Sequence, residues 1–283
     1  MGREGQPMEK AIYLKRLAFF TVVIIGLLAT GIAGFGEAEE ESQSPEGMVL
    51  IPAGELYRGS DSNQGYQICL KNNGDCKKSW FQDEEPANAI RLNGFYIDIH
   101  EVTQKEFQGV MGDNPSDYNG SNLPVERVTW PEATAYCKKV QKRLPTEAEW
   151  EWAARGGKRS VFPWGDEVES RKANFCDKQC NKRWKESQFD DGHRHTAPVG
   201  SFPANGYGVF DMAGNVYEWV ADWYAEEYYK NSTRDNPKGP ETGKRKVIRG
   251  GSWINYSTGV RPSDRTEAKP NGRLNFVGFR CAL

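Results

Sequence analysis

Six cysteines, Cys69, Cys76, Cys137, Cys176, Cys180 and Cys281, constrain the fold of this 283-residue chain more than any other feature. An even set reads as a disulfide framework when the chain is exported. The N-terminus carries the export pattern. Lys15 and Arg16 precede an apolar run from Leu17 to Gly36, and an acidic stretch from Glu37 to Glu41 follows it. By the positive-inside rule this order leaves the start inside and sends the body out. A signal-peptide core covers roughly 7–15 residues and a bilayer span about 20, so residues 17–36 leave a cleaved signal peptide and a retained membrane anchor both open. The expected location is periplasmic or extracellular, with inner-membrane attachment if the run is kept.

Two pairs of cysteines are local. Cys69 and Cys76 bracket Leu70-Lys-Asn-Asn-Gly-Asp75, a polar turn sequence that suits a hairpin tip, and Cys176-Asp-Lys-Gln-Cys180 closes a tight loop. Elimination leaves Cys137 to Cys281. Such a bridge pins the last strand to the middle of the chain, and closure of a long loop contributes several kcal/mol.

Residues 1–36 thus form the signal peptide or anchor, 37–46 an acidic linker, and 47–283 one domain of ordinary size. The net charge of -2, with both signs interspersed, gives no basic stripe and excludes nucleic acid as a partner. Nine Trp, twelve Tyr and thirteen Phe supply large buried areas, while thirty Gly and fifteen Pro demand many turns. The composition therefore predicts short elements joined by long, ordered loops.

Gly47–Gly59 reads as two short strands and Ile90–Asp98 as another. Three helix starts follow, each a capping box: Thr103 with Glu106, Thr129 with Glu132 behind Pro131, and Thr146 with Glu149. Trp150, Ala153 and Ala154 make the apolar stripe of the third helix. These acidic residues have a structural role and are not counted as catalytic carboxylates. From Gly156 to Pro203 the chain turns irregular, and loops of this length are functional or held by something.

Cys176 and Cys180 with His193 and His195 have the outline of a zinc set, but His-x-His is too short a spacing for a finger, and a disulfide is the expected fate of these thiols. Asn174-Phe175, Asp190-Asp-Gly192 and Asp211-Met-Ala-Gly-Asn-Val-Tyr-Glu218 offer hard oxygen ligands of the kind calcium takes. Asp/Gly loops also simply turn a chain, and the residues alone leave both readings open. The three histidines, His100, His193 and His195, form no Ser/His/Asp or Cys/His pattern.

Val247-Ile-Arg-Gly-Gly-Ser-Trp253 and Val277-Gly-Phe-Arg-Cys281 close the chain, and the paired glycines there ask for close backbone packing or positive φ. Taken in order with Gly47-Met-Val-Leu-Ile-Pro-Ala-Gly54, Glu101-Val-Thr103, Pro124-Val-Glu-Arg-Val-Thr-Trp130, Lys142-Arg-Leu-Pro-Thr-Glu-Ala-Glu-Trp-Glu151, Phe162-Pro-Trp-Gly165 and Asp211-Met-Ala-Gly-Asn-Val-Tyr-Glu-Trp219, they resemble the formylglycine-generating enzyme, or sulfatase-modifying factor, family. The resemblance runs from Gly47 to Leu283. It implies an α+β, C-type-lectin-like fold with little regular secondary structure, and two bound calcium ions. One calcium would take the side chains of Asn174 and Asp191 and the carbonyls of Phe175 and His193. The other would take Asp211 and Glu218 with the carbonyls of Gly214 and Val216; the family usually has Asn where Asp211 stands. A family disulfide maps onto Cys137 and Cys281, in agreement with the elimination above.

The family's enzymes oxidise a sulfatase cysteine with copper and oxygen, through two cysteines five residues apart shortly after Gly-Gly-Ser. Those positions are Asn255 and Val260 here. Neither is the soft thiolate that Cu(I) needs, so the resemblance implies no copper and no formylglycine formation, although the family's pocket residue Ser252 is kept. The site is degenerate at Ser252, Asn255 and Val260. The expected function is an exported, calcium-stabilised binding or scaffold module whose surface, through Trp253, Asn255, Tyr256 and Arg261, takes a protein, peptide or glycan. Two alternatives stand beside it. One is an envelope enzyme of different chemistry, similar to relatives in pyoverdine maturation, and the other a hypervariable lectin-like binder with variation between Ile254 and Phe276. An iron-dependent, ergothioneine-type activity is set aside because its histidine-bearing helical domain is missing.

Overall fold

The computed structural model describes residues 44–283. The expected signal or anchor at 17–36, and most of the linker, lie outside the described residues. Among those described, no helix is long and apolar enough to cross a membrane.

Two antiparallel ribbons open the domain. β1 (Met48–Ile51) pairs with β4 (Phe95–Asp98), and β2 (Gly54–Arg58) with β3 (Asn88–Leu92). The stretch expected as one strand over 90–98 is therefore two. Asn93-Gly94 breaks it, and the Asn93 amide leaves the ladder to donate to Asn236 Oδ1 at 2.8 Å. Between β2 and β3 the chain forms α1 (Ser62–Asn72), started by Asp61, whose side chain accepts from the Asn63 amide. Cys69 thus sits on the last turn of a helix and not at a hairpin tip, while its bridge to Cys76 forms as expected. A 3-10 turn over Lys78–Glu84 follows.

α2 (Gln104–Met111), α3 (Trp130–Lys139) and α4 (Glu147–Arg155) start at the three capping boxes, and in each the Thr side chain accepts from the third helical amide while the Glu carboxylate reaches back. Two orphan amides per helix are satisfied within four residues of sequence. Beyond α4, residues 156–216 hold no regular helix or strand, and the Cys176–Cys180 bridge closes one turn of that segment. β5 (Tyr217–Trp223) then enters a four-stranded sheet of order β7-β6-β5-β8, with β6 (Lys246–Arg249), β7 (Thr266–Ala268) and β8 (Val277–Gly278). β8 runs parallel to β5, the other pairings being antiparallel. A one-turn helix, α5 (Tyr228–Asn231), lies between β5 and β6.

Aromatic rings tie α2, α3 and the C-terminal segment together in the core. Phe107 of α2 stacks on Tyr136 of α3 at 5.6 Å, and Phe279 meets both rings edge-on. The Cys137–Cys281 bridge, across 144 residues, ties α3 to this C-terminal segment. Trp150 of α4 is fully buried, and a Cβ on Gly250 would stand 2.9 Å from its ring. A Cβ on Gly251 would meet the Gly259 carbonyl at 2.3 Å, and both glycines have positive φ. The Gly-Gly pair is thus required twice over, by contact and by conformation.

Buried ion pairs join the layers. Arg249 of β6 holds Glu151 at 2.8 Å, Arg155 holds the same carboxylate at 2.7 Å, and Arg265 holds Glu147 at 2.7 Å. Both acids lie on α4, so the helix is clamped to the sheet and to the chain that follows β6. Charges this deep persist only when paired and hydrogen-bonded.

Candidate ligand groove and cation cradle

The turn out of β6 leads to Asn255 and Tyr256 on the floor of a polar cleft. Ser252 is buried, and its Oγ donates to Asn255 Oδ1 at 2.6 Å, while Asn255 Nδ2 donates to the Tyr217 hydroxyl at 2.9 Å. Asn255 is therefore fixed from both ends. Val260 is buried in an apolar cluster with Phe162, Ala173, Phe175 and Ala213. All six cysteines of the chain are consumed in three disulfides, so no thiol faces this floor.

Two of the four residues expected to contact a ligand lie elsewhere. Arg261 is buried, and two of its guanidinium nitrogens bond Glu84 at 2.5 and 2.9 Å. Trp253 is buried with its indole N–H on the Asn275 carbonyl at 3.1 Å and its ring edge-on to Tyr118 and His195. In each case a partner distant in sequence takes the polar head. Asn255 and Tyr256 do line the cleft, a cavity of about 410 Å³. Its walls come from the 3-10 turn, through Trp80 and Asp83, from Tyr224 and Glu226 after β5, and from Asp264 to Glu267.

Behind the floor, buried polar groups converge in a cradle. Asn174 Nδ2 donates to the His195 carbonyl at 2.8 Å and to Asn215 Oδ1 at 3.2 Å, leaving Asn174 Oδ1 without a partner among the described residues. Asp191 accepts from the amides of Phe175 and His193, at 3.0 and 2.7 Å. Burial, with Asp177 adding repulsion, pushes its carboxyl up to about 7. Asp191 is thus bonded to the amides of Phe175 and His193, with Asn174 next to Phe175 in sequence.

The second expected set is rearranged. Asp211 accepts from the Gly200 amide at 2.6 Å with one oxygen, and its Oδ1 has no partner among the described residues. Glu218, in contrast, is held by Arg280 through both oxygens, each at 2.8 Å, and by the Trp150 indole at 2.8 Å. Its acceptor capacity is largely spent. Glu101, fully buried, accepts from Asn215 Nδ2 at 3.0 Å and keeps Oε2 unpaired. Burial drives its proton affinity well up, and the neighbouring Asp211 charge drives it further. Asp211 and Asn215 both adopt left-handed backbone, at φ 57° and 61°, which Asp and Asn tolerate better than other residues. Of these three carboxylates Arg280 is bonded to Glu218 alone, with Glu101 and Asp211 in its field, and the unpaired oxygens of Asn174, Glu101 and Asp211 are hard donors of the kind calcium takes. Among the described residues no group of three or more His, Cys, Asp or Glu side chains is arranged to hold a metal ion, so Asn174 with Asp191 and Asp211 with Glu101 are two separate donor sets, and Glu218 would join the second only by giving up part of its hold on Arg280.

A family model, the sulfatase-modifying factor enzyme 1-like domain, matches residues 34–283. The chain belongs to the sulfatase-modifying-factor family. It is similar to the formylglycine-generating enzyme of Thermomonospora curvata, 41% identical over 84% of this chain and 93% of that one. It is also similar to the inactive Cα-formylglycine-generating enzyme 2 of Mus musculus, 38% identical over 92% of each. Among solved structures, the Treponema denticola variable protein 1 superposes with a TM-score of 0.67 at 27% identity, covering 83% of this chain and 94% of that one. PvdO from Pseudomonas aeruginosa gives 0.66 at 28%, covering 83% and 93%. The α+β, C-type-lectin-like fold expected from the motifs is the fold observed.

Sequence reasoning missed Glu101 in this sulfatase-modifying-factor domain. It opens the Glu-Val-Thr motif just before the α2 cap, and the cap alone is enough to account for that motif. An acidic residue next to a cap that does not itself close the capping box was the available signal. The wall acids Asp83, Glu226 and Asp264 carry no local pattern. They meet only because the fold brings together three segments that span well over a hundred residues of sequence.

Proposed function

We propose that this sulfatase-modifying-factor domain is an exported, calcium-stabilised binding module that takes a protein, peptide or glycan in the cleft above Asn255, and that it is not a copper-dependent oxidase. The observation that carries the reading is the state of the cysteines. Six are present and six are in disulfides, while an amide and an isopropyl group occupy the two positions that match the family's copper thiolates. Cu(I) selects soft sulfur ligands, and neither group provides one. Asn174 and Asp191 would hold one calcium and Asp211, with Glu101 beside it, a second; their contribution is to neutralise buried carboxylates and lock the irregular segment 156–216. The disulfides agree with an oxidising compartment outside the cytoplasm.

Likeness to PvdO supports a second reading, an envelope enzyme of different chemistry working in the same cleft. Likeness to a variable protein supports the hypervariable reading less well. Of the segment from Ile254 to Phe276, Ser257, Thr258, Val260, Arg261, Ser263 and Arg265 are buried here, and buried charged side chains tolerate little variation.

The test is mass spectrometry of a sulfatase-derived cysteine peptide after incubation with the purified full chain, copper and oxygen. The peptide is expected to return unchanged, and a loss of about 18 Da, the mass change from cysteine to formylglycine, would overturn the reading. Metal analysis of the same preparation is expected to find calcium and no stoichiometric copper or iron.

A further inference from the structure

The cleft above Asn255 is acidic in a way that its own structure does not balance. Asp83, Glu226, Asp264 and Glu267 line it, against a single cation among its lining residues, Arg265. That guanidinium is spent: it holds Glu147 with two nitrogens, at 2.7 and 3.0 Å, and the Asp83 carbonyl at 2.7 Å with the third. Glu267 is paired at the rim with Arg245 at 3.1 Å. Among the described residues Asp264 finds no side-chain hydrogen bond, and the guanidinium it faces, Arg261, is 3.7 Å away and already committed to Glu84. Asp83 receives only the Tyr224 hydroxyl, at 2.8 Å. Burial outweighs the pull of Arg265 on Asp83 and of Arg261 on Asp264, pushing Asp83 up to about 6 and Asp264 well above the ordinary carboxylate range, the behaviour of acids whose nearest cations are committed to other carboxylates.

The remaining walls are aromatic. Tyr224 and Tyr256 line the cavity, and Trp80 stands at its mouth with 45% of its surface exposed. Carboxylates flanked by aromatic faces form the environment that an organic cation fills, because the ring quadrupoles and the acids attract the same charge. A cavity of about 410 Å³ accepts a basic head with its alkyl stem. An anionic ligand would add a charge of the wrong sign to Asp83, Asp264 and Glu226.

We infer that the cleft binds an alkyl guanidinium or alkyl ammonium group, with Asp264 and Asp83 as its deep counter-ions, Glu226 as an outer one, and Trp80 and Tyr256 packed on its stem. The inference rests on the reading of the cleft as a ligand site and gives that ligand its chemistry.

Calorimetric titration of the full chain with three probes tests it: Nα-acetyl-arginine N-methylamide, its citrulline counterpart, and n-butylguanidine. The arginine probe is expected to bind at least tenfold tighter than the citrulline one. Butylguanidine separates the sources. Equal binding assigns the site to the cation alone, and at least threefold weaker binding assigns it to a basic residue within a peptide; both support a cation site. Asp264→Asn is expected to lower affinity at least tenfold and the exposed Glu226→Gln about threefold, whereas Glu55→Gln, outside the cleft, leaves it unchanged. Equal affinity for arginine and citrulline probes overturns the cation assignment while leaving the cleft a ligand site. No binding of any probe at 10 mM, by a chain with an unaltered melting transition, overturns both.

Discussion

The carboxyl groups of Glu101 and Asp211 are buried side by side; one shared proton would let them bond each other, and with both ionised each keeps one oxygen without a partner among the described residues. Without metal the pair must hold a proton or leave two acceptors unpaired, at about 1–3 kcal/mol for each unsatisfied group. A bound cation removes the cost. Calcium at a hundredfold excess over its dissociation constant is expected to stabilise the domain by about 2.7 kcal/mol, raising the melting temperature by roughly 5–10 °C. Calorimetric scans in calcium and in chelator measure the shift. Glu101→Gln is expected to shrink it at least by half, and equal transitions in calcium and chelator would dismiss the cradle as a calcium site.

Arg261 serves the frame and not the ligand. Replacement by Met leaves Glu84 buried without its guanidinium, and breaking a buried pair costs about 3–5 kcal/mol. Tyr256→Ala, at the half-exposed cleft wall, is expected to stay within about 1 kcal/mol of the native stability. Denaturant unfolding of the two variants distinguishes the roles. Equal destabilisation would place Tyr256 in the core as well.

What could be read in the sequence was local. The capping boxes at Thr103, Thr129 and Thr146 each close within four residues, so spacing alone located the start of α2, α3 and α4. Pairing of Cys137 with Cys281 followed once the short loops had claimed the other thiols. What failed depended on distance. α1 carries Asn and Gly and only three buried residues, and its packing against the 3-10 turn overrides a sequence that favours a turn. Arg261 looks exposed in the sequence because nothing near it is acidic except Asp264; Glu84, its partner, lies 177 residues away. Glu218 matches a calcium ligand by position, yet Arg280, 62 residues on, takes both of its oxygens.

The long disulfide should matter far more than the short one. Closing 144 residues removes much chain entropy from the unfolded state, whereas Cys176–Cys180 closes a loop of 4. The double replacement Cys137→Ala with Cys281→Ala is expected to cost about 4–5 kcal/mol, with a much smaller loss for the Cys176, Cys180 double variant. Guanidinium unfolding under non-reducing conditions compares them. A similar cost for both would mean that strain or local packing, and not loop closure, sets the contribution.

Asp222 gives the domain a pH signature that runs opposite to ordinary acid unfolding. Its side chain is buried and accepts from the Glu147 amide at 2.8 Å, and burial, reinforced by the Glu147 charge, pushes its carboxyl up to about 7. The unfolded chain releases that proton at an ordinary carboxylate value, near 3.8. Between the two values the folded state holds a proton that the unfolded state has lost. Stability from this group is therefore complete below about pH 4 and is lost as pH rises through about 7. Asn at this position keeps the acceptor oxygen and removes the titration. The stability of the native chain minus that of Asp222→Asn is expected to fall by up to about 4 kcal/mol across this window, since a proton held by one state alone is worth about 1.4 kcal/mol for each pH unit crossed. Urea unfolding at pH 4, 5.5, 7 and 8 measures the difference. A constant difference would show that Lys246, whose charge favours the ionised form, already holds Asp222 as carboxylate throughout.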